Sequence, residues 1–402
     1  MSILLILYII IGVYLIFYCS YLSFTLIVGT FYKKKVGDSY NTPNDDRWLI
    51  FIPAYKADHV LIKSLESINV YAPLVEFKIV VLFQETPEDI IKEANNYEIT
   101  MLNQSFSSDK GNTYIQALKY FNEWLKKDEM ISEYSPTHLV LLDKDNCVGE
   151  HFFSELLKFR NVGYEYIQGR RSALNLRESV GHYDEISERL NDVSLRNYKC
   201  ALGWNPELTG SGFIISMDFF INGIDHLSLN NPGMDKNLFL EWILGDKKPK
   251  GIYAREAILY EEKTEDIEVL KQQRSRWFAE QYMTAFQFLP RLLKQIFFKF
   301  DIEALDYLIS IFRPPRSILM LITPLLSLLE LLFFRTYYLF TISFLVLLIG
   351  GIVFILGNGL SHSFSSLIIR LPHIIMSNLY SLLSIFSGKA KGNFIHTERN
   401  KE

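Results

Sequence analysis

The chain opens with a run that water cannot host. From Ile3 to about Phe31 nearly every side chain is apolar, and no charge appears before Lys33. At about 1.5 Å of rise per residue, a helix over this run crosses a hydrocarbon core of about 30 Å. Lys33, Lys34 and Lys35 follow the run rather than precede it, the reverse of a cleaved secretory leader. The positive-inside bias then sets the N-terminus outside and everything after Lys33 in the cytoplasm. Whatever the rest of the chain folds into is tethered to a bilayer.

The remaining apolar excess is segregated in the same way. The 402 residues are 49% hydrophobic, too many for a soluble body alone and too few for a wholly membrane-embedded one. Residues 32–289 have ordinary globular composition, whereas 290–402 turn apolar again. Residues 317–334 and 337–356 are each long enough to span, and only Arg335 and Thr336 separate them, which predicts a helical hairpin. Residues 293–312 mix aromatics with Lys294, Lys299 and Asp301 and read as an amphipathic helix in the interface. Residues 365–386 carry Arg370, Pro372 and His373 and read as interfacial or re-entrant; the tail from Lys389 to Lys401 is basic and so cytoplasmic, requiring an odd number of crossings. Three spanning helices satisfy this.

The globular part alternates apolar runs with helical periodicity. Residues 48–53, 77–83 and 138–142 read as buried strands; 60–70 and 111–125 read as helices. Such alternation predicts an α/β fold whose parallel sheet is covered on both faces, with ligands at the carboxyl ends of the strands. The net charge of −4 provides no basic field for nucleic acid. Cys19, Cys147 and Cys200 lack metal-ligand spacing and read as reduced, buried thiols. The histidines form no cluster, and neither a serine-hydrolase constellation nor a phosphate loop is visible.

Two local patterns carry chemistry. Asp143-Lys144-Asp145 follows the strand at 138–142, and two carboxylates two residues apart beyond a strand end can reach one hard divalent ion, Mg²⁺ or Mn²⁺. The plain alternative is a solvated turn. Gln273-Arg274-Ser275-Arg276-Trp277 lies on a probable helix, with Gln273, Arg276 and Trp277 on neighbouring positions of one face. An amide, a guanidinium and an indole together suit a diphosphate and a sugar ring. The plain alternative is a juxtamembrane helix with its basic and aromatic residues at the headgroups.

With these residues in place, the chain resembles family 2 glycosyltransferases, in particular their membrane-bound, cellulose- and hyaluronan-synthase-like branch. Matching runs occur in family order: Phe51-Ile52-Pro53-Ala54-Tyr55, Lys110-Gly111, the metal motif Asp143-Lys144-Asp145, Gln168-Gly169-Arg170-Arg171, Leu208-Thr209-Gly210-Ser211-Gly212, Met234-Asp235-Lys236, the QxxRW motif Gln273–Trp277 and the tail run 394–399. The resemblance implies a nucleotide-sugar-binding, Rossmann-like type A glycosyltransferase domain with flanking transmembrane helices. It implies inverting transfer of a hexose or N-acetylhexosamine from a UDP-sugar to a growing poly- or oligosaccharide.

The residue roles follow from the same resemblance. Asp235 is the base, with Glu241 as fallback because Met234 stands where the family has a second acid. Arg276 and a metal held by Asp143 and Asp145 steady the leaving diphosphate; Trp277 floors the acceptor site, and Gln273 joins them as a catalytic residue of the motif. Pro53, Tyr55, Asp58, Gln84, Lys110 and Asp143 surround the nucleotide, although Gln84 replaces the usual acidic residue of the second strand. Gly210, Ser211 and Gly212 let backbone approach the sugar. The alternatives are transfer of one sugar to a lipid-linked acceptor and a non-catalytic membrane scaffold that retains the fold. Three spans make a thin conduit, so export of a polymer calls for a partner subunit or a homo-oligomer.

Overall fold

The computed structural model describes residues 3–34, 45–174, 179–231, 233–263, 266–334, 337–367, 375–376 and 378–380. After helix α1 (Ile3–Phe31) the chain alternates as the apolar runs predict: β1 (Arg47–Tyr55), α2 (His59–Val70), β2 (Glu76–Gln84), α3 (Glu88–Ala94), β3 (Ile99–Asn103), α4 (Thr113–Leu125), α5 (Glu129–Tyr134) and β4 (His138–Leu141). Strand β1 is buried along its length, because its alternate side chains enter two different cores. Phe51 faces α4 and stacks on Phe121, with ring centroids 3.7 Å apart and planes 6° from parallel. Ile50 and Ile52 face the opposite way, against Leu61 and Leu65 of α2.

The second half departs from the expected parallel sheet. It contains β5 (Cys147–Val148), α6 (Phe152–Asn161), β6 (Tyr166–Ala173), α7 (Ser179–Asn191), a π-helical stretch (Asp192–Asn197), α8 (Tyr198–Ala201), β7 (Phe213–Ser216), α9 (Met217–Asp225), α10 (Met234–Ile243) and β8 (Gly251–Glu261). The sheet order is β3-β2-β1-β4-β7-β6-β8-β5. The first four strands are parallel, but β7 runs antiparallel to both β4 and β6. The loop before β7 explains this: Gly212 N–H donates to Leu141 C=O, so β7 starts at the carboxyl edge of β4 and can only run back. The fold is therefore a mixed α/β sheet with helices on both faces.

The chain continues as α11 (Ile267–Lys299), α12 (Ile302–Ile311), α13 (Arg316–Leu329), α14 (Leu339–Gly357) and α15 (Ser361–Leu367). The single interfacial helix expected at 293–312 is instead the end of α11 followed by α12. The break is at Phe300, which takes φ of 52°, and at Asp301, whose carboxylate caps α12 by accepting from Ala304 N–H at 3.1 Å. Leu292, Ala304, Tyr307 and Ile311 enter the same core as Phe51, so this segment is part of the body; Phe297, Phe298 and Phe300 stay exposed. The compositional boundary near Pro290 falls inside α11.

Among the described residues three helices are long and apolar enough to cross a membrane: Ile3–Phe31, Arg316–Phe333 and Leu339–Gly357. α1 lies against α14 at close range, since a Cβ on Gly350 would stand 2.7 Å from the Cα of Ser23. Glu330 ends α13 and accepts from the Phe340 and Thr341 N–H groups and from Tyr8, tying the hairpin to α1. α1 is fixed to the body by Asn197, whose amide donates to Gly29 and Tyr32 carbonyls at 2.5 and 2.9 Å. The segment 365–386 is described only in part, and the tail from 389 lies outside the described residues.

Candidate active site

The carboxyl edge of the sheet opens into a cavity of about 1490 Å³. Asp143 and Asp145 reach it from the turn after β4. That turn is set locally: Asn146 N–H donates to Asp143 C=O at 3.0 Å, and Asp143 N–H donates to the Asn146 side-chain oxygen at 2.9 Å. Lys144 is tied to the end of β1, donating to the Tyr55 and Lys56 carbonyls at 2.8 and 2.7 Å, and lines the cavity together with Asp143 and Asp145. Burial, and then the charge of Asp145, push the Asp143 carboxyl up to about 6 against the pull of Arg171 and Ser211. Tyr114 donates to Asp143 at 3.2 Å.

Gln168 organises the glycine loop opposite. Its amide nitrogen donates to the carbonyls of Gly169, Ser211 and Gly212, each at 3.1 Å, and its oxygen accepts from Thr209 N–H at 3.0 Å. The loop held in this way presents Gly210 to the cavity. Ser211 is buried beneath it, and Gly212 does not line the cavity. The need for glycine at 212 is structural: φ is +72°, and a Cβ would stand 2.1 Å from Leu259. Of the other expected nucleotide contacts, Pro53, Tyr55 and Asp58 line the cavity; Gln84 is buried away from it, and Lys110 is exposed outside it.

Helix α11 forms the facing wall. Gln273, Arg276 and Trp277 all line the cavity, as their spacing predicts. Arg274 also lines it, bonded to Asp184 of α7 at 2.8 Å and lying over Trp277 at 5.0 Å. Asp235 sits in the first turn of α10, whose N-cap is Gly233, so it does not cap the helix; its carboxylate accepts from Lys236 N–H at 2.8 Å. Glu241 does not line the cavity and accepts from Arg291 at 2.7 Å, which removes it as the fallback acid. The second acid beside Asp235 is Glu280, on the cavity wall one turn beyond Arg276 and 3.3 Å from it. Burial pushes Glu280 up to about 7, opposed by Lys236 and Arg276 and reinforced by Asp235. Its i, i+4 spacing from Arg276 was the available signal.

The same walls carry a buried ion network that the sequence did not announce. Arg171 pairs with Glu188 and Glu261, Arg196 with Glu188 and Asp192, and Lys263 with Glu261 and Asp184. Burial alone would raise Glu188; Arg171, Arg196 and Lys263 overcome it and hold the carboxyl well below the ordinary range. The network joins β6, α7, β8 and α11, so the cavity walls are fixed to one another.

A sequence model described as glycosyltransferase like family 2 matches residues 45–279, more than half of the chain. No curated protein matches it. Among solved structures, the mannosyltransferase PcManGT from Pyrobaculum calidifontis in complex with GDP-Man and Mn²⁺ is 10% identical at a TM-score of 0.46, over 84% of this chain and 94% of that one. S. aureus TarS 1-349 in complex with UDP-GlcNAc is 12% identical at a TM-score of 0.36, over 85% of this chain and 92% of that one. Both are too distant to speak to donor or acceptor. The family match over the sheet and the QxxRW helix decides the matter: the chain belongs to glycosyltransferase family 2 and is a glycosyltransferase.

Proposed function

We propose that the protein transfers a hexose or N-acetylhexosamine, with inversion, from a UDP-sugar to a growing saccharide at the cytoplasmic face of a membrane. The observation carrying this reading is that one cavity gathers Asp143, Asp145, Asp235, Arg276 and Trp277 and runs on between the membrane helices, where Leu347 and Ile355 line it. A scaffold has no use for that conjunction.

Asp143 and Asp145 would hold Mg²⁺ or Mn²⁺. Two crowded carboxylates, one raised by burial and by the other's charge, fit a divalent cation. Once bound, the ion would neutralise charge developing on the leaving diphosphate. Arg276 offers that diphosphate a guanidinium fork. Asp235 accepts the proton of the acceptor hydroxyl as its oxygen bonds to the anomeric carbon, while the nucleoside diphosphate departs with the bonding pair. Trp277 supplies a flat apolar floor for the acceptor ring. The apolar stretch between the membrane helices also favours the second reading, in which the acceptor is lipid-linked.

The test is UDP release from a panel of UDP-sugars by purified protein with Mg²⁺ or Mn²⁺. Release with one donor should fall by roughly 10²–10⁴ in Asp235→Asn and disappear with chelator. Undiminished release in Asp235→Asn would move the base to Glu280.

A further inference from the structure

Lys110 is exposed outside the cavity, yet the loop that carries Lys110-Gly111-Asn112 is held tightly. Asn112 N–H donates to Leu229 C=O at 2.8 Å, in the segment that leads to Asp235. Gly111 takes φ of +103°, and a Cβ there would stand 2.5 Å from that same Leu229 oxygen, so the two stretches of backbone meet at a distance that glycine alone permits. Asn112 also caps α4: its side-chain oxygen accepts from Tyr114 N–H at 2.9 Å and from Ile115 N–H at 3.2 Å. The first turn of α4 is thereby fixed in place and direction.

That turn brings Tyr114 to the cavity wall. Its ring packs against the core that holds Phe51 and Phe121. Its hydroxyl donates to Asp143 Oδ1 at 3.2 Å. An ionised carboxylate has two oxygens and about four lone-pair sites. A donor fixed on Oδ1 sets the rotation of the group and leaves Oδ2 for a cation. Carboxylates that ligate metals are ordinarily oriented by outer hydrogen bonds of this kind.

We propose that Tyr114 is a positioning residue of the metal site: its hydroxyl orients the Asp143 carboxylate, and the docking of Gly111 and Asn112 on Leu229 orients the hydroxyl. The Lys110-Gly111 run then acts on the site through α4 rather than by touching the nucleotide. The docking also joins the segment before Asp235 to the helix that steadies Asp143, so the base and the metal ligand share one anchor. This rests on the reading of Asp143 and Asp145 as the metal's ligands.

The test is Mn²⁺ binding, with no sugar transferred. Parent and Tyr114→Phe, purified in detergent, are titrated with Mn²⁺ in the presence of UDP, and free ion is counted by electron paramagnetic resonance. UDP binding is measured separately with chelator present. Phenylalanine keeps the ring and its packing and removes only the donor. Mn²⁺ affinity should fall about 10–100-fold, while metal-free UDP affinity stays the same. Equal Mn²⁺ affinity in the two proteins would overturn the proposal. So would a matching fall in metal-free UDP affinity, which would make Tyr114 a support of the whole cavity. Gly111→Ala keeps the hydroxyl but forces the loop off Leu229, and should weaken Mn²⁺ under the same UDP control. Full Mn²⁺ affinity in that variant would overturn the loop's part, and the variant decides if Tyr114→Phe does not fold. A parent that binds UDP but no Mn²⁺ would sink the metal reading itself, and this proposal with it.

Discussion

Glu280 is the most exposed point of the site's electrostatics to direct test. It is 7% accessible, and burial raises its carboxyl from 4.5 to about 7 despite Arg276 at 3.3 Å. A carboxyl raised on folding binds more protons folded than unfolded, so stability declines as pH rises. The penalty is absent below 4.5, grows through the interval up to about 7, and is complete above it. With about 1.4 kcal/mol per pKa unit, linkage gives a loss of about 2.5 kcal/mol between about pH 5 and about pH 8. Glu280→Gln keeps the shape and removes the titration. The variant should therefore gain on the parent as pH rises, by roughly 5–10 °C in melting temperature for a body of this size. Thermal unfolding in detergent across that range, read by tryptophan fluorescence, measures the difference directly. Parallel curves for parent and variant would refute the reasoning, and would mean that the pair with Arg276 outweighs burial.

Three further outcomes follow from named contacts. Asp145→Asn should lose Mn²⁺ binding, followed by electron paramagnetic resonance in the presence of UDP, while the fold and the Lys144 anchor persist. Phe51→Ala removes the ring stacked on Phe121 at the centre of the sheet and should cost about 3–5 kcal/mol, read as a fall in unfolding temperature. Glu188→Gln strips one carboxylate from both Arg171 and Arg196 and should cost about 3 kcal/mol at neutral pH. Because its carboxyl is held low, that contribution is present above the ordinary carboxylate range and is lost as pH falls, so parent and variant should converge in acid.

What the sequence disclosed was local. β1, β2 and β4 are built on short apolar runs, and α1 and the hairpin on long, almost uncharged ones; pattern alone finds such elements, although β1 runs on through Pro53 to Tyr55 where the sequence suggested a stop. Gln273, Arg276 and Trp277 share a wall because helical spacing puts them there. The direction of β7 was not legible, because four apolar residues carry no record of which edge the chain enters from. The break at Phe300 within 293–312 was not legible, because the apolar and charged residues run through it at helical spacing with no proline or glycine to mark a stop. Gly212 looked like a sugar contact for want of any sign of Leu259 above it, and Glu241 lost to Glu280 because only the tertiary fold shows which helix face meets the cavity.

The same limit explains why the ion network went unseen, although it decides how the site is built. Its members are spread from Arg171 to Arg274, and no spacing rule connects them. Buried charges of this kind contribute little net stability over apolar replacements, but they bind specific partners in specific positions. Arg274 on the QxxRW helix is held by Asp184 of α7, and the π-helical stretch that follows α7 supplies Asn197 to the end of α1. The helix that carries Trp277 is thus referenced to the membrane anchor through one chain of polar contacts. Leu26 and Ile355 line the same cavity as Asp235. The helices long and apolar enough to cross a membrane are therefore walls of the cavity as well.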